Sequence, residues 1–308
     1  MKTVSARPSH LAAALSALVV TVLWSTSFLL VKLSLPFVPP ITLAAVRYLV
    51  AFLFLLAYAL LIDRRRPTRL AWMTLVVIGV FNFGVSQGLQ YSAMRELPVA
   101  MVALLFCLLP PMQAVADTIW LREPPALVEL LGAAVTLGGV ALYLPWGGPM
   151  AWGGLLLMTG TLIAVTIGTT LSRKVAREGS TPTLHLTLVS IGAGALSVLP
   201  VGLLGEPAPR FSLFVVGALL WLALANTAVA WSLWNHALRT LTAFEANVVA
   251  NTTVFQVGVL GWLFLGESLT ARQILAMVVA FSGVLLAQLP VLRARRVPVT
   301  APSPSTPA

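Results

Sequence analysis

Ten stretches of about 20 mostly apolar residues, divided by short breaks of proline, glycine and charge, set the rhythm of this chain. They run roughly over 11–33, 41–62, 70–91, 97–120, 126–145, 151–172, 183–203, 212–234, 242–264 and 271–291. At about 1.5 Å of rise per residue, each is long enough to cross the hydrocarbon core of a bilayer as a helix. Pro36, Pro39 and Pro40 close the first run, Asp63 to Pro67 the second, Pro124 and Pro125 the fourth, and Gly147, Gly148 and Pro149 the fifth. The pattern predicts an all-α integral membrane protein with ten transmembrane helices.

Charge falls in step with these runs. When the loops are assigned alternately to two sides, one side holds Lys2, Arg7, Arg64, Arg65, Arg66, Arg69, Arg122, Arg173, Lys174, Arg177, Arg239, Arg293, Arg295 and Arg296. The other holds Lys32, Arg95, Arg210 and Arg272, and Arg47 alone falls within a span. An odd error in the span count would scramble this split. Cytoplasmic loops collect Lys and Arg, so both termini are expected in the cytoplasm of a multi-pass protein of the inner (plasma) membrane. Lys2 and Arg7 precede an apolar run too long for a signal peptide, which is therefore read as the first span. The basic, Pro-rich tail at 292–308 buries too little apolar surface to order itself and is expected in the cytoplasm.

The chain also repeats. Shifted by 144 residues, Asn82, Arg95, Leu97, Leu121, Glu123, Gly139 and Val140 fall on Asn226, Arg239, Leu241, Leu265, Glu267, Gly283 and Val284. Lys32 and Pro40 match Lys174 and Pro182 at an offset of 142. Two units follow, 1–146 and 149–291. Five spans is an odd number, so the second unit lies upside down relative to the first. Such inverted five-helix repeats are a common plan for secondary transporters, with the solute site at the repeat interface.

Composition narrows the function further. The chain is 59% hydrophobic and 9% charged, against about 25% charged in a soluble domain. Its net charge of +10 is explained by the topology-setting loops and implies no nucleic-acid partner. A lone cysteine, Cys107, excludes a disulfide framework and a Cys-based metal site, and His10, His185 and His236 lack ligand spacing. No HExxH, P-loop, nucleophile–base pair or cofactor motif is visible, so neither an enzyme nor a bound cofactor or metal is expected. A channel should show a ring of like side chains or a filter loop, and neither is apparent. The expected partners are a small-molecule solute and the lipid bilayer, with a homodimer admissible.

Polar groups inside a bilayer need a partner or a wet cavity. Asn82, Ser86 and Gln90 are spaced i, i+4, i+8, and Asn226 and Trp234 are the repeat equivalents of Asn82 and Gln90. They read as a cavity wall or as interhelical glue. In the ninth span Glu245, Thr252 and Gln256 form one line, and Asn247 and Asn251 form a second, deeper one. Thr159, Thr166 and Thr170 read as hydroxyls bonded to their own helix. Trp24 is too central for an interface anchor and joins Tyr91, Trp231 and Trp234 as aromatic cavity candidates. Arg47, about 9 Å into the second span, either attracts an anionic group or snorkels outwards. Gln113 and Asp117 are candidates for a gate paired with Arg122 or Arg239. No carboxylate sits deep in the bundle to announce proton or sodium coupling.

The residues also carry a resemblance. Leu23-Trp24-Ser25-Thr26-Ser27-Phe28, Pro40 through Arg47-Tyr48-Leu49, and Trp231 with Trp234-Asn235 and Ala237-Leu238-Arg239 resemble motifs of the drug/metabolite transporter superfamily, EamA type. Leu265-Gly266-Glu267-Ser268-Leu269-Thr270 looks like its later signature, and Trp120-Leu121-Arg122-Glu123 like a weaker first copy. The resemblance spans roughly residues 11 to 290. It implies spans 1–4 and 6–9 around a central cavity, spans 5 and 10 outside it, and export of amino acids, other metabolites or drugs, with import in some members. The chain departs by carrying Phe255-Gln256 where a proline is usual in the ninth span, and by the polar pair Asn247 and Asn251. Export of a small metabolite, such as an amino acid or amphipathic compound, by alternating access is the expected function; import or facilitation is the alternative.

Overall fold

Helix ends follow the local sequence. In the computed structural model, which describes residues 9–62, 69–122, 125–145, 149–178, 183–237, 240–241 and 243–288, α1 (His10–Ser34) begins where the Ser9 hydroxyl accepts the Ala12 N–H at 3.2 Å. The expected cytoplasmic tail at 292–308, Glu123 and Arg239 lie outside these residues. α2 (Pro40–Ile62) starts with a proline, which has no N–H to leave unpaired. Glu206 supplies what the next turn needs, accepting the N–H groups of Ile41 at 3.1 Å and Thr42 at 2.7 Å.

The third run is one continuous path in three pieces: α3 (Arg69–Gly79), a π-helical segment at Val80–Val85, and α4 (Ser86–Glu96). The fourth divides into α5 (Val99–Leu105), a 3-10 turn at Phe106–Leu108 and α6 (Leu109–Leu121), the break falling just before Pro110 and Pro111. Then follow α7 (Leu127–Tyr143), α8 (Trp152–Glu178) and α9 (Thr183–Gly205). α8 outruns its predicted end at 172, because Arg173 to Glu178 are good helix formers before Gly179. The eighth run again has three parts: α10 (Leu213–Ala223), a π segment at Leu224–Val229 and α11 (Ala230–Ala237). α12 (Ala243–Asn251), α13 (Thr253–Leu265) and α14 (Ala271–Ala287) complete the chain.

Among the described residues every regular element is helical. Among the described residues seven helical stretches are long and apolar enough to cross a membrane, and three shorter apolar helices, Leu127–Tyr143, Leu213–Thr227 and Ala271–Ala287, accompany them. Their outer faces are apolar: Leu61 is 85% exposed, Leu204 89% and Leu213 90%. Aliphatic exposure on this scale suits hydrocarbon and not water. Inside, α5 is buried along its whole length, in a core shared with α1, α2, α4, α7, α13 and α14.

Local geometry recurs at the repeat distance. The π segments start at Val80 and Leu224, 144 residues apart, and Asn82 and Asn226 take the third place in each. α6 and α13 both end on left-handed residues, Arg122 (φ 57°) and Gly266 (φ 68°), again 144 apart. α7 and α14 pack closely through small residues. A Cβ on Gly139 would stand 2.4 Å from the Ala280 nitrogen, and one on Gly283 would stand 2.4 Å from the Thr136 nitrogen. Because 136 pairs with 280 and 139 with 283 under the same shift, these contacts are reciprocal, as across a two-fold axis.

Candidate functional site

Four interruptions of α-helical geometry face one cavity of about 500 Å³. Phe83 comes from the first π segment, Phe106 and Cys107 from the 3-10 turn, Asn226 and Thr227 from the second π segment, and Asn251 and Thr253 from either side of the break at Thr252 between α12 and α13. Irregular backbone at membrane depth is tolerated where it is buried in protein or lines a cavity, so their convergence is physically coherent. Trp24, Ser27 and Phe28 of α1, Arg47 and Tyr48 of α2, and Gln87 and Gln90 of α4 complete most of the wall. The lining is chiefly apolar and aromatic with a few amides and hydroxyls, which is the usual make-up of a small-molecule pocket.

Arg47 is the charged residue of the described wall. Only 6% of it is exposed, and it turns inward instead of snorkelling to the span end. Its Nη1 donates to Ser27 Oγ at 2.9 Å and to the Tyr91 hydroxyl, while the guanidinium lies 5.1 Å from the centre of the Tyr48 ring. Its Nε is buried without a hydrogen-bond partner. Asn226 donates from Nδ2 to the Leu23 carbonyl at 2.9 Å, and its Oδ1 is likewise buried and unpartnered. Trp24 packs against Trp234 with ring centroids 5.1 Å apart.

Of the residues singled out from sequence, Trp24, Gln90, Asn226, Asn251 and Arg47 come together at this cavity. Tyr91 stands behind it as a partner of Arg47, and is 1% exposed. Trp231 and Asn247 lie on α11 and α12, but their side chains are outside the described ones. Asn82 is placed elsewhere: its amide sits against Gly168 of α8, where an added Cβ would meet Oδ1 at 2.4 Å. The π segment explains this. A regular helix would align Asn82, Ser86 and Gln90, whereas the wider turn between them swings Asn82 towards α8 and leaves Gln87 and Gln90 on the cavity. The same turn brings Gln87, which lies off the 82–86–90 line of a regular helix, onto the cavity.

Gln113 and Asp117 join α6 to α8 and do not line the cavity. Gln113 Nε2 donates to Thr170 Oγ1 at 2.6 Å and to Asp117 Oδ1 at 3.2 Å, and Asp117 pairs with Arg173. Arg173, carried alongside by the extension of α8, takes the place proposed for Arg122, and Arg239 lies outside the described residues. The first polar line of the ninth run is likewise a seam. Glu245 lies 3.0 Å from His10, and Gln256 accepts from Ser25 Oγ at 2.8 Å while donating to Thr21 Oγ1 at 3.0 Å. Both seams join an amide to hydroxyls on another helix.

α8 and α9 contribute nothing to the described cavity wall, contrary to expectation for spans 6 and 7. They are drawn against α2, α3 and α4 by close contacts. Ser190 of α9 donates to the Leu75 carbonyl at 3.1 Å, and Thr161 of α8 to the Ser86 carbonyl at 3.3 Å.

The EamA-like transporter family profile matches residues 11–144 and 152–289. Protein PecM of Dickeya dadantii (strain 3937) is 26% identical over 268 residues, covering 86% of this chain and 88% of that protein. The S-adenosylmethionine/S-adenosylhomocysteine transporter of Chlamydia trachomatis serovar L2 is 26% identical over 263 residues, 80% of each chain. The uncharacterized inner membrane transporter YedA of Escherichia coli K12 is 26% identical over 281 residues, 86% and 87% of the two chains. A solved crystal structure superposes with a TM-score of 0.64 at 20% identity, covering 92% of this chain and 98% of the other, which shows a shared fold.

Proposed function

The chain belongs to the EamA-like transporter family, and from that premise we propose that it is a secondary transporter exporting a small amphipathic metabolite by alternating access. Family and relatives make it a multi-pass membrane protein that moves a small molecule. The finer reading is ours: ten spans in two inverted units, 1–146 and 149–291, in an inner membrane with both termini cytoplasmic. The cavity built from four helix interruptions is the observation that carries it. Aromatic walls accept an apolar body, while Arg47, Gln87, Gln90 and Asn226 offer polar contacts to its head. The repeated π segments and the reciprocal α7–α14 contact support two units that rock about this cavity.

Counterflow in proteoliposomes tests it. A panel of labelled amino acids and amphipathic metabolites should include at least one solute whose uptake is saturable and driven by unlabelled solute inside. Export is then shown by faster loss of that solute from cells making the protein than from cells without it. Flux that never saturates would indicate a pore, and chemical conversion of a solute would indicate an enzyme.

A further inference from the structure

We infer that the transported solute carries a single carboxylate, and that Arg47 is the residue that binds it; this rests on the transport reading above. A guanidinium has five N–H donors. In Arg47 both bonds to Ser27 and Tyr91 leave from Nη1, so the edge formed by Nε and Nη2 has no partner among the described residues. That edge is one of those a carboxylate engages with two parallel hydrogen bonds.

Among the described residues the charge is also uncompensated. The groups around Arg47 are two hydroxyls and the Tyr48 ring, all neutral. Among the described residues no carboxylate lines the cavity: Glu96 is exposed at the end of α4, and the others with a described partner sit at helix ends and seams. Glu206 caps α2, Glu267 caps α5 through Val99 N–H at 2.7 Å, Glu129 accepts the Ala126 N–H, Asp117 pairs with Arg173, and Glu245 meets His10. A buried charge without a counter-ion is costly, and a protein retains one where a ligand supplies the opposite charge. One cation calls for one negative charge. A phosphate dianion would leave a surplus in an otherwise neutral wall. The rest of the solute then lies along Trp24, Phe28 and Phe106, with Asn226 Oδ1 free to accept a donor.

The test uses the purified full chain in detergent and three probes of one shape: 3-phenylpropionate, its neutral amide and 2-phenylethylphosphonate. Binding is read from the shift in thermal unfolding with concentration. The parent should bind the acid at least about tenfold more tightly than the amide, roughly the effect of one charge-assisted pair. Arg47→Gln should abolish that preference while leaving the amide's affinity within about twofold. Arg47→Lys keeps the charge without the fork and should lose most of the preference. Equal binding of acid and amide by the parent, no acid binding up to millimolar concentration, or a preference unchanged in either folded variant would overturn the assignment. Tighter binding of the phosphonate than of the acid would overturn the carboxylate. Should neither variant fold, the parent's ratio decides alone. Counterflow of the labelled acid separates the two ideas: Arg47-dependent binding without exchange removes transport and leaves the site, and exchange of acid and amide alike does the reverse.

Discussion

At the scale of single residues, Asn82 and Asn226 show how equal positions in a repeat diverge. Both sit third in a π segment, and each amide turns to another helix, Asn82 to Gly168 of α8 and Asn226 to Leu23 of α1. Asn226 also lines the cavity with an unpartnered Oδ1, whereas Asn82 does not. The two leucine variants should therefore part company. Asn226→Leu removes an acceptor at the cavity and should raise the half-saturation concentration several-fold. Its stability should fall by only about 1 kcal/mol for one lost bond to a carbonyl. Asn82→Leu places a branched chain against Gly168 and should cost about 1–3 kcal/mol through overpacking, with affinity unchanged in the folded fraction. Thermal melts and transport titrations on both variants check this; the opposite assignment of effects would move the solute to the α8 side. Composition and spacing made Asn226, Trp24, Asn251 and Arg47 legible as candidates. Gln87 was not, because no residue signature announces a π turn, and one extra residue per turn shifts which side chains share a face.

At the scale of elements, helix caps were the more legible feature. The repeated Leu121-Arg122-Glu123 and Leu265-Gly266-Glu267 mark two ends that both finish in left-handed geometry. Glycine takes that conformation without the Cβ clash, while arginine does not, at roughly 1–2 kcal/mol. Gly266→Ala should accordingly lower stability by about 1 kcal/mol, and Arg122→Gly should leave it equal or higher. A melt in which both changes destabilise alike would show that Arg122 has a role beyond its backbone angle. Glu267 acts across elements, holding the Val99 N–H at 2.7 Å at the start of α5, while Lys32 donates to the Leu97 carbonyl at 3.0 Å just before it. Glu267→Ala should cost about 1 kcal/mol, in the range of a lost N-cap. Glu267 stands out in the sequence as a repeat match, as part of the 265–270 signature and as a residue for a structural role at a span junction, but its partner lies 168 residues away in the chain, beyond any local pattern. The glycines of α7 and α14 were legible as repeat matches, yet only their packing shows why a side chain is excluded there. Gly139→Val should be among the most disruptive single changes, since even its Cβ would stand 2.4 Å from the Ala280 nitrogen.

For the whole molecule, the proposed inversion and rocking make separate demands. Ten spans with cytoplasmic termini require reporters fused after Arg65, Arg177 or Arg295 to read cytoplasmic, and those after Pro39, Pro149 or Glu206 to read external. An external reading at Arg177 would break the span count and the inversion together. Alternating access asks more, since one cavity must meet water on each side in turn. Trp24 and Asn226 flank that cavity from α1 and the second π segment, and Cys107 also faces it, so Cys107→Ser is the necessary background. A cysteine placed at either position should then react with a membrane-impermeant thiol reagent from both faces, in right-side-out and inverted vesicles. Added solute should slow both reactions by occupying the cavity, and should slow them unequally if it favours one orientation of the two units. Reaction from one face under every condition would describe a blind cleft, and unhindered reaction from both faces at once would describe an open pore. Only exchange between the two faces, biased by solute, fits two units that turn about a shared site.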